Sequence, residues 1–163
     1  MKPEGLACDH GGVDVEEVGA LGAPNGGPYE WFQRAQEMLA SGNADAAIVL
    51  LERVRRTETS PSVLETLGRA LFDARRYDEA IGVLTELVER SPDEDYAHYA
   101  LGMALWRRQL FRTARDHLSM AFVMRPDKPE YAQALSQVKA TLRARAEAGL
   151  ALEGPIDVTF GGP

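Results

Sequence analysis

The sequence predicts an all-α fold, three helix-turn-helix units stacked side by side and closed by a terminal helix. Three observations predict it. Small residues recur in register at Ala35, Gly68 and Gly102 and at Ala47, Ala80 and Ala114, stepping by 33 and then 34 residues (35 to 68 to 102; 47 to 80 to 114). Larger apolar residues keep the same step at Leu51, Leu84 and Leu118, at Met38, Leu71 and Leu105, and at Val54, Leu87 and Ala121. Within each unit the apolar positions fall three and four apart, the period of a helix with one buried face.

Residues 1–27 are rich in Gly, Pro and acids and lack a sustained period, as in Asp9-His10-Gly11-Gly12. Such a segment buries too little apolar surface to offset its ordering entropy, so a disordered acidic tail is expected there. The repeats are expected at about 28–60, 61–94 and 95–128, followed by a capping helix over 129–148. Ala44, Tyr77 and Phe111 sit just after the turn inside each unit. In the second unit Leu64, Leu67, Gly68 and Leu71 share a face of the first helix, and Ala80, Ile81, Leu84, Leu87 and Val88 share a face of the second. Small residues at matched places let two backbones approach, and the large neighbours fill the space around that contact. No single helix pair can bury its face alone, so stacking the units creates one continuous α-solenoid core.

Ser60-Pro61 and Ser91-Pro92 place a capping hydroxyl before a proline suited to the first helical position. Ser91 with Glu94, and Asp127 with Glu130, also have the spacing of a capping box. The last helix carries Tyr131, Leu135, Val138 and Leu142 on one stripe and Gln133, Gln137, Lys139 and Arg143 on the other, as a terminal cap requires. Residues 149–163 are expected to form a flexible tail. Ile156, Val158 and Phe160 alternate with Asp157 and Thr159, a strand-like pattern with no sheet to receive it. This end reads either as unstructured or as a transient placeholder in a groove.

These residues resemble the tetratricopeptide repeat family, whose pattern over 34 residues runs Trp, Leu-Gly, Tyr, Ala, Phe, Ala, Pro. The first unit supplies Trp31 and Ala35, the second Leu67-Gly68, Tyr77, Ala80 and Pro92, and the third Leu101-Gly102, Ala114, Ala121 and Pro126. Departures are local. Arg34 stands where later units have Leu67 and Leu101, and Arg75 and Gln109 replace the inter-helix glycine that the first unit has at Gly42.

The resemblance implies a protein-interaction module, adaptor or chaperone-like, that holds an extended peptide or partner helix on a concave surface lined by the first helix of each pair. The lining is expected to include Phe32, Gln36, Thr66, Arg69, Phe72, Tyr96, Tyr99, Met103, Trp106 and Arg107, with Glu65 and Asp73 beside them. Aromatic residues, Met and Arg suit such a role because each buries a large area at an interface. Some relatives grip acidic chaperone tails with a clamp of Lys, Asn and Arg. The matching places here hold Phe32, Gln36, Thr66, Tyr96 and Ala100, without the required cation, so a partly aromatic, apolar groove is expected instead. Two alternatives remain: a scaffold subunit using the convex face or the capping helix, or a non-catalytic regulatory subunit of an enzyme.

Composition narrows the classes. The net charge of −7, with Lys and Arg interleaved among acids, argues against a nucleic-acid partner, which needs a basic face. No apolar run is long enough to span a bilayer and the start lacks a secretory pattern, so a cytoplasmic protein is expected. Its lone cysteine, Cys8, precludes an internal disulfide. The histidines His10, His98 and His117 lie in unrelated settings, with no metal-binding spacing, phosphate loop or nucleophile motif. Neither catalysis nor a metal or other cofactor is expected, and the protein is expected as a monomer or weak dimer.

Overall fold

The computed structural model describes residues 26–156. The expected acidic tail therefore lies outside the described residues except at its last two positions. Seven helices follow in order: α1 Pro28–Ala40, α2 Ala44–Thr57, α3 Pro61–Asp73, α4 Tyr77–Arg90, α5 Asp95–Arg107, α6 Phe111–Met124 and α7 Pro129–Glu147. Each helix packs on the next. The backbone of α1 also approaches α3, that of α3 approaches α5 and that of α5 approaches α7, whereas the backbones of α2, α4 and α6 stay farther apart, α2 and α4 meeting through the side-chain ion pair of Arg55 and Glu86. The odd-numbered helices thus form the tighter, inner side of the stack, and the even-numbered helices fan out behind them.

The register of the repeats is the register of the core. Ala35, Ala47, Ala80 and Ala114 are fully buried, as are Leu51 and Leu118. Gly68 and Gly102 are placed by necessity. A Cβ at residue 68 would lie 2.5 Å from Leu84 Cδ2, and one at residue 102 would lie 2.7 Å from Leu118 Cγ. The same close approach governs Ala80. Ala80→Leu should therefore destabilise by roughly 1–3 kcal/mol through overpacking, while exposed Glu89→Gln should stay within about 0.5 kcal/mol. Equal shifts of the two denaturant midpoints would contradict this register.

The turns inside the units repeat as well. Gly42, Arg75 and Gln109 all have positive φ (81°, 59° and 61°). In each turn the following residue's N–H bonds back to a carbonyl five residues earlier, as from Asn43 to Met38, Arg76 to Leu71 and Leu110 to Leu105. This is the left-handed helix-ending motif that glycine favours. Arg75 and Gln109 adopt it despite their side chains because the packing of the flanking helices fixes the turn.

Helix starts agree with expectation in part. Ser60 caps α3, its hydroxyl accepting from the Val63 N–H, with Pro61 in the first turn. The box expected at Ser91 does not form. Ser91 instead ends α4, the Pro92 carbonyl is taken by His98 Nε2, and α5 begins at Asp95. Asp127 does not cap α7 either, because both of its oxygens are held by the Arg125 guanidinium. That pairing draws its carboxyl down to about 2.

Residues 149–156, the described part of the segment expected as a flexible tail, make defined contacts with the repeats. Gly149, at φ 67°, ends α7 with the same turn motif. The chain then folds back over the α5–α6 turn. Gly154 N–H donates to the Gln109 carbonyl at 3.1 Å, and Arg112 N–H donates to Glu153 Oε1 at 3.2 Å. Arg145, 7% exposed, donates to the Ala151 carbonyl at 2.7 Å and lies 4.8 Å over the Phe111 ring. The physical reason is the start of α6. Its N-cap, Leu110, has no capping group, and Glu153 satisfies one of the orphaned donors from outside the helix. Truncation after Gly149 should therefore cost about 1–3 kcal/mol, the loss of these hydrogen bonds. A change in thermal midpoint no larger than that of a surface substitution would show that the contacts contribute nothing. The rest of the alternating segment, 157–163, lies outside the described residues.

Candidate functional site: an apolar cleft between α3 and α5

On the inner side, a cleft of about 200 Å³ opens between α3 and α5. It is lined by Gly68, Arg69, Phe72, Asp73, Leu84, Tyr96, Tyr99, Ala100 and Met103. Its depth comes from the glycine: with no side chain at residue 68, the floor is Leu84 on α4. Tyr96, Tyr99 and Met103 share a face of α5 because they fall three and four residues apart, and Phe72 and Arg69 face them from α3. Phe72 is braced edge-on by Tyr77, with ring centroids 5.3 Å apart. Tyr99 stacks on Tyr131 of α7 at 4.6 Å.

A second cleft of about 200 Å³, more polar in its lining, lies next to the first, between α1 and α3. Gln36, Leu39, Ala40, Glu65, Thr66 and Arg69 form it, so Arg69 belongs to both. Of the residues singled out from the sequence, the first cleft gathers Arg69, Phe72, Tyr96, Tyr99 and Met103, and the second gathers Gln36 and Thr66. Arg107 lies at the edge of the first, its guanidinium 5.8 Å from the Phe72 ring. Phe32 and Trp106 pack against the core and line neither cleft. Leu84, the floor, was missed because it belongs to an even-numbered helix. The small residue opposite it at position 68 was the available signal.

Burial governs the electrostatics. It raises the Tyr96 phenol above its usual range, against the opposing pull of Arg69. It raises the Tyr99 phenol too, helped by Glu130. Both rings are therefore neutral, amphipathic walls at ordinary pH. The Glu65 carboxyl is pushed up by burial and then by Glu94, with Arg69 pulling the other way. Arg69 itself leans toward Asp73, at 4.0 Å. Near the inter-helix turns Arg76 is paired with Glu79 and Arg108 with Asp78.

The histidines require a correction. His98 and His117, read as unrelated, meet between α5 and α6 with their Nδ1 atoms 3.0 Å apart. His98 Nε2 donates to the Pro92 carbonyl, which leaves its Nδ1 to accept from His117. The pair fills a place in the core: the same columns hold Leu64 and Val83 one unit earlier, both buried. Burial, then His98, lowers the His117 imidazole below its usual value. Among the described residues no three His, Cys, Asp or Glu side chains gather where they could hold a metal ion. Nor, among those residues, is any helix long and apolar enough to cross a membrane.

A family model described as tetratricopeptide repeat matches residues 65–129. No curated protein matches the chain in sequence. Among solved structures, MamA from Desulfovibrio magneticus RS-1 superposes with a TM-score of 0.70 at 19% identity, over 76% of this chain and 70% of that one. The first repeat domain of human RPAP3 superposes with a TM-score of 0.68 at 16% identity, over 75% of this chain and 99% of that one. The first such domain of Spaghetti (RPAP3), bound to the HSP90 peptide SRMEEVD, gives 0.68 at 15% identity, over 71% and 93%. At these identities the likeness is one of fold. The matched segment runs from within α3 to the start of α7, and α1–α2 and the rest of α7 continue the same stack with the same turns: the chain has the fold of a tetratricopeptide-repeat solenoid.

Proposed function

We propose that this protein is a non-catalytic interaction module that holds an extended peptide or a partner helix along its inner surface, anchored in the α3–α5 cleft. The observation that supports this reading most is the cleft itself: a pre-formed apolar recess with aromatic walls, deepened by Gly68 and sized for one large side chain. The partner is a protein rather than a nucleic acid, and the adaptor acts in the cytoplasm as a monomer or weak dimer. Fold-level likeness to a peptide-bound domain supports such binding without naming the ligand.

Tyr99→Ala is a poor test, because the ring also holds Tyr131. Met103→Glu places a charge in the cleft wall without touching that stack. Partners captured by the wild type, identified by mass spectrometry, should be lost on Met103→Glu with the thermal midpoint preserved. Retention of every partner would exclude the cleft as the anchor and favour the scaffold reading, for which α6 offers exposed Met120 and Val123 on the outer side.

The acidic-tail clamp should be absent. A peptide ending in Glu-Glu-Val-Asp is expected to bind no better than a scrambled acidic control in calorimetry, since neither cleft carries a cluster of unopposed cations. Salt-sensitive binding of the ordered peptide alone would contradict this and assign recognition to Arg69 and Arg107.

A further inference from the structure

Glu65 is a carboxylate of the groove that the groove's own residues leave without a partner. The residue is half-buried in the second cleft. Among the described residues its carboxylate makes no hydrogen bond and no ion pair. Arg69, one turn along α3, is turned toward Asp73 instead. Taking a carboxylate out of water without a partner is unfavourable, and neighbouring Glu94 adds repulsion. A cation delivered by a ligand relieves both.

The spacing sets a register. Glu65 and Phe72 are seven positions apart on α3, or about 10 Å along the helix axis. An extended peptide covers that distance in about three residues. At the apolar cleft the acid present, Asp73, already faces Arg69, and Arg107 lies at the edge beside Phe72, so a ligand cation finds its unpartnered carboxylate at the Glu65 end.

We propose that the groove selects a basic–apolar segment: a large apolar side chain seated in the α3–α5 cleft and, about three residues away, a lysine or arginine set against Glu65. The inference rests on the groove being the binding surface. It makes the preferred ligand opposite in charge to the acidic peptide bound by the RPAP3 domain.

A phage-displayed library of random peptides, selected on the full-length wild type, on Glu65→Gln and on Met103→Glu, tests it. The wild-type pool should be enriched in an apolar residue spaced about three from Lys or Arg. The Glu65→Gln pool should keep the apolar residue and lose the basic one. For a synthetic peptide from the wild-type pool, replacing its cation with alanine should weaken binding about tenfold on the wild type and less than about twofold on Glu65→Gln. A wild-type pool without basic enrichment, or a cation dependence that survives Glu65→Gln, overturns this inference and leaves the groove reading standing. No enrichment on the wild type, or the same pool on Met103→Glu, overturns the groove reading and this inference with it.

Discussion

Leu84→Ala should lower the unfolding free energy by about 2–5 kcal/mol, through lost apolar burial and the cavity left behind. Leu84 is 1% exposed and sits at the close contact of α3 with α4. The new void would open directly beneath the candidate cleft, so the substitution also deepens the anchor site. The companion change at Gly68 makes the prediction specific. In the wild type, an added Cβ at residue 68 meets Leu84 Cδ2 at 2.5 Å and Cγ at 2.8 Å. The helix-propensity gain of about 1 kcal/mol from Gly→Ala is then outweighed by overpacking. With Leu84 already truncated, that obstacle is gone and Gly68→Ala should recover about 1 kcal/mol. The same substitution thus changes sign between backgrounds, which a double-mutant cycle in urea reads directly. If Gly68→Ala has the same sign in both backgrounds, the glycine is not there for Leu84.

Columns of like residues carried most of the fold in the sequence, and the physical reason limits what they could carry. A repeat exposes its packing because each unit must solve the same contact, so Gly68 against Leu84 recurs as Gly102 against Leu118. Ser60 and Pro61 were legible because capping is local. Features that occur in one unit alone were not. The His98–His117 contact joins α5 to α6 in the third unit only, where the corresponding places of the second unit are filled by Leu64 and Val83. The signal for that pair is the two columns themselves, whose third members are the two histidines. The start of α5 went wrong for the same cause, since His98 takes the Pro92 carbonyl and the helix begins later than its serine suggests. The fold-back of residues 150–154 had no sequence signal beyond the uncapped start of α6. Of the groove, the helix period supplied the α5 wall of Tyr96, Tyr99 and Met103. It also offered Phe32 and Trp106, which line neither cleft, because periodicity gives a face but not its depth.

Tyr131→Ala should be among the most damaging single substitutions, costing about 3–5 kcal/mol as for other large buried aromatic residues. Tyr131 is 1% exposed and ties the capping helix to the third repeat. Its hydroxyl donates to Asp95 Oδ2 at 2.7 Å and accepts from Lys128 Nζ at 3.0 Å, while its ring stacks on Tyr99 at 4.6 Å. Removing the ring therefore loosens α7 and takes the support from behind one wall of the cleft. Peptide binding should fall with stability. Tyr131→Phe separates the two contributions: it keeps the ring and the stack and should cost only about 1–2 kcal/mol for the hydroxyl. It also changes the response to alkali. Burial first, then the Asp95 carboxylate, pushes the Tyr131 phenol up to about 12. A folded value above the unfolded one means that its contribution is whole below about pH 10 and is lost as the pH climbs toward 12. Thermal midpoints of the wild type should fall across that window, and those of Tyr131→Phe should fall less. Parallel curves for the two proteins would show that the phenol is not the linked group, and a cost for Tyr131→Ala no greater than that for Tyr131→Phe would show that the stacked ring does not hold the capping helix in place.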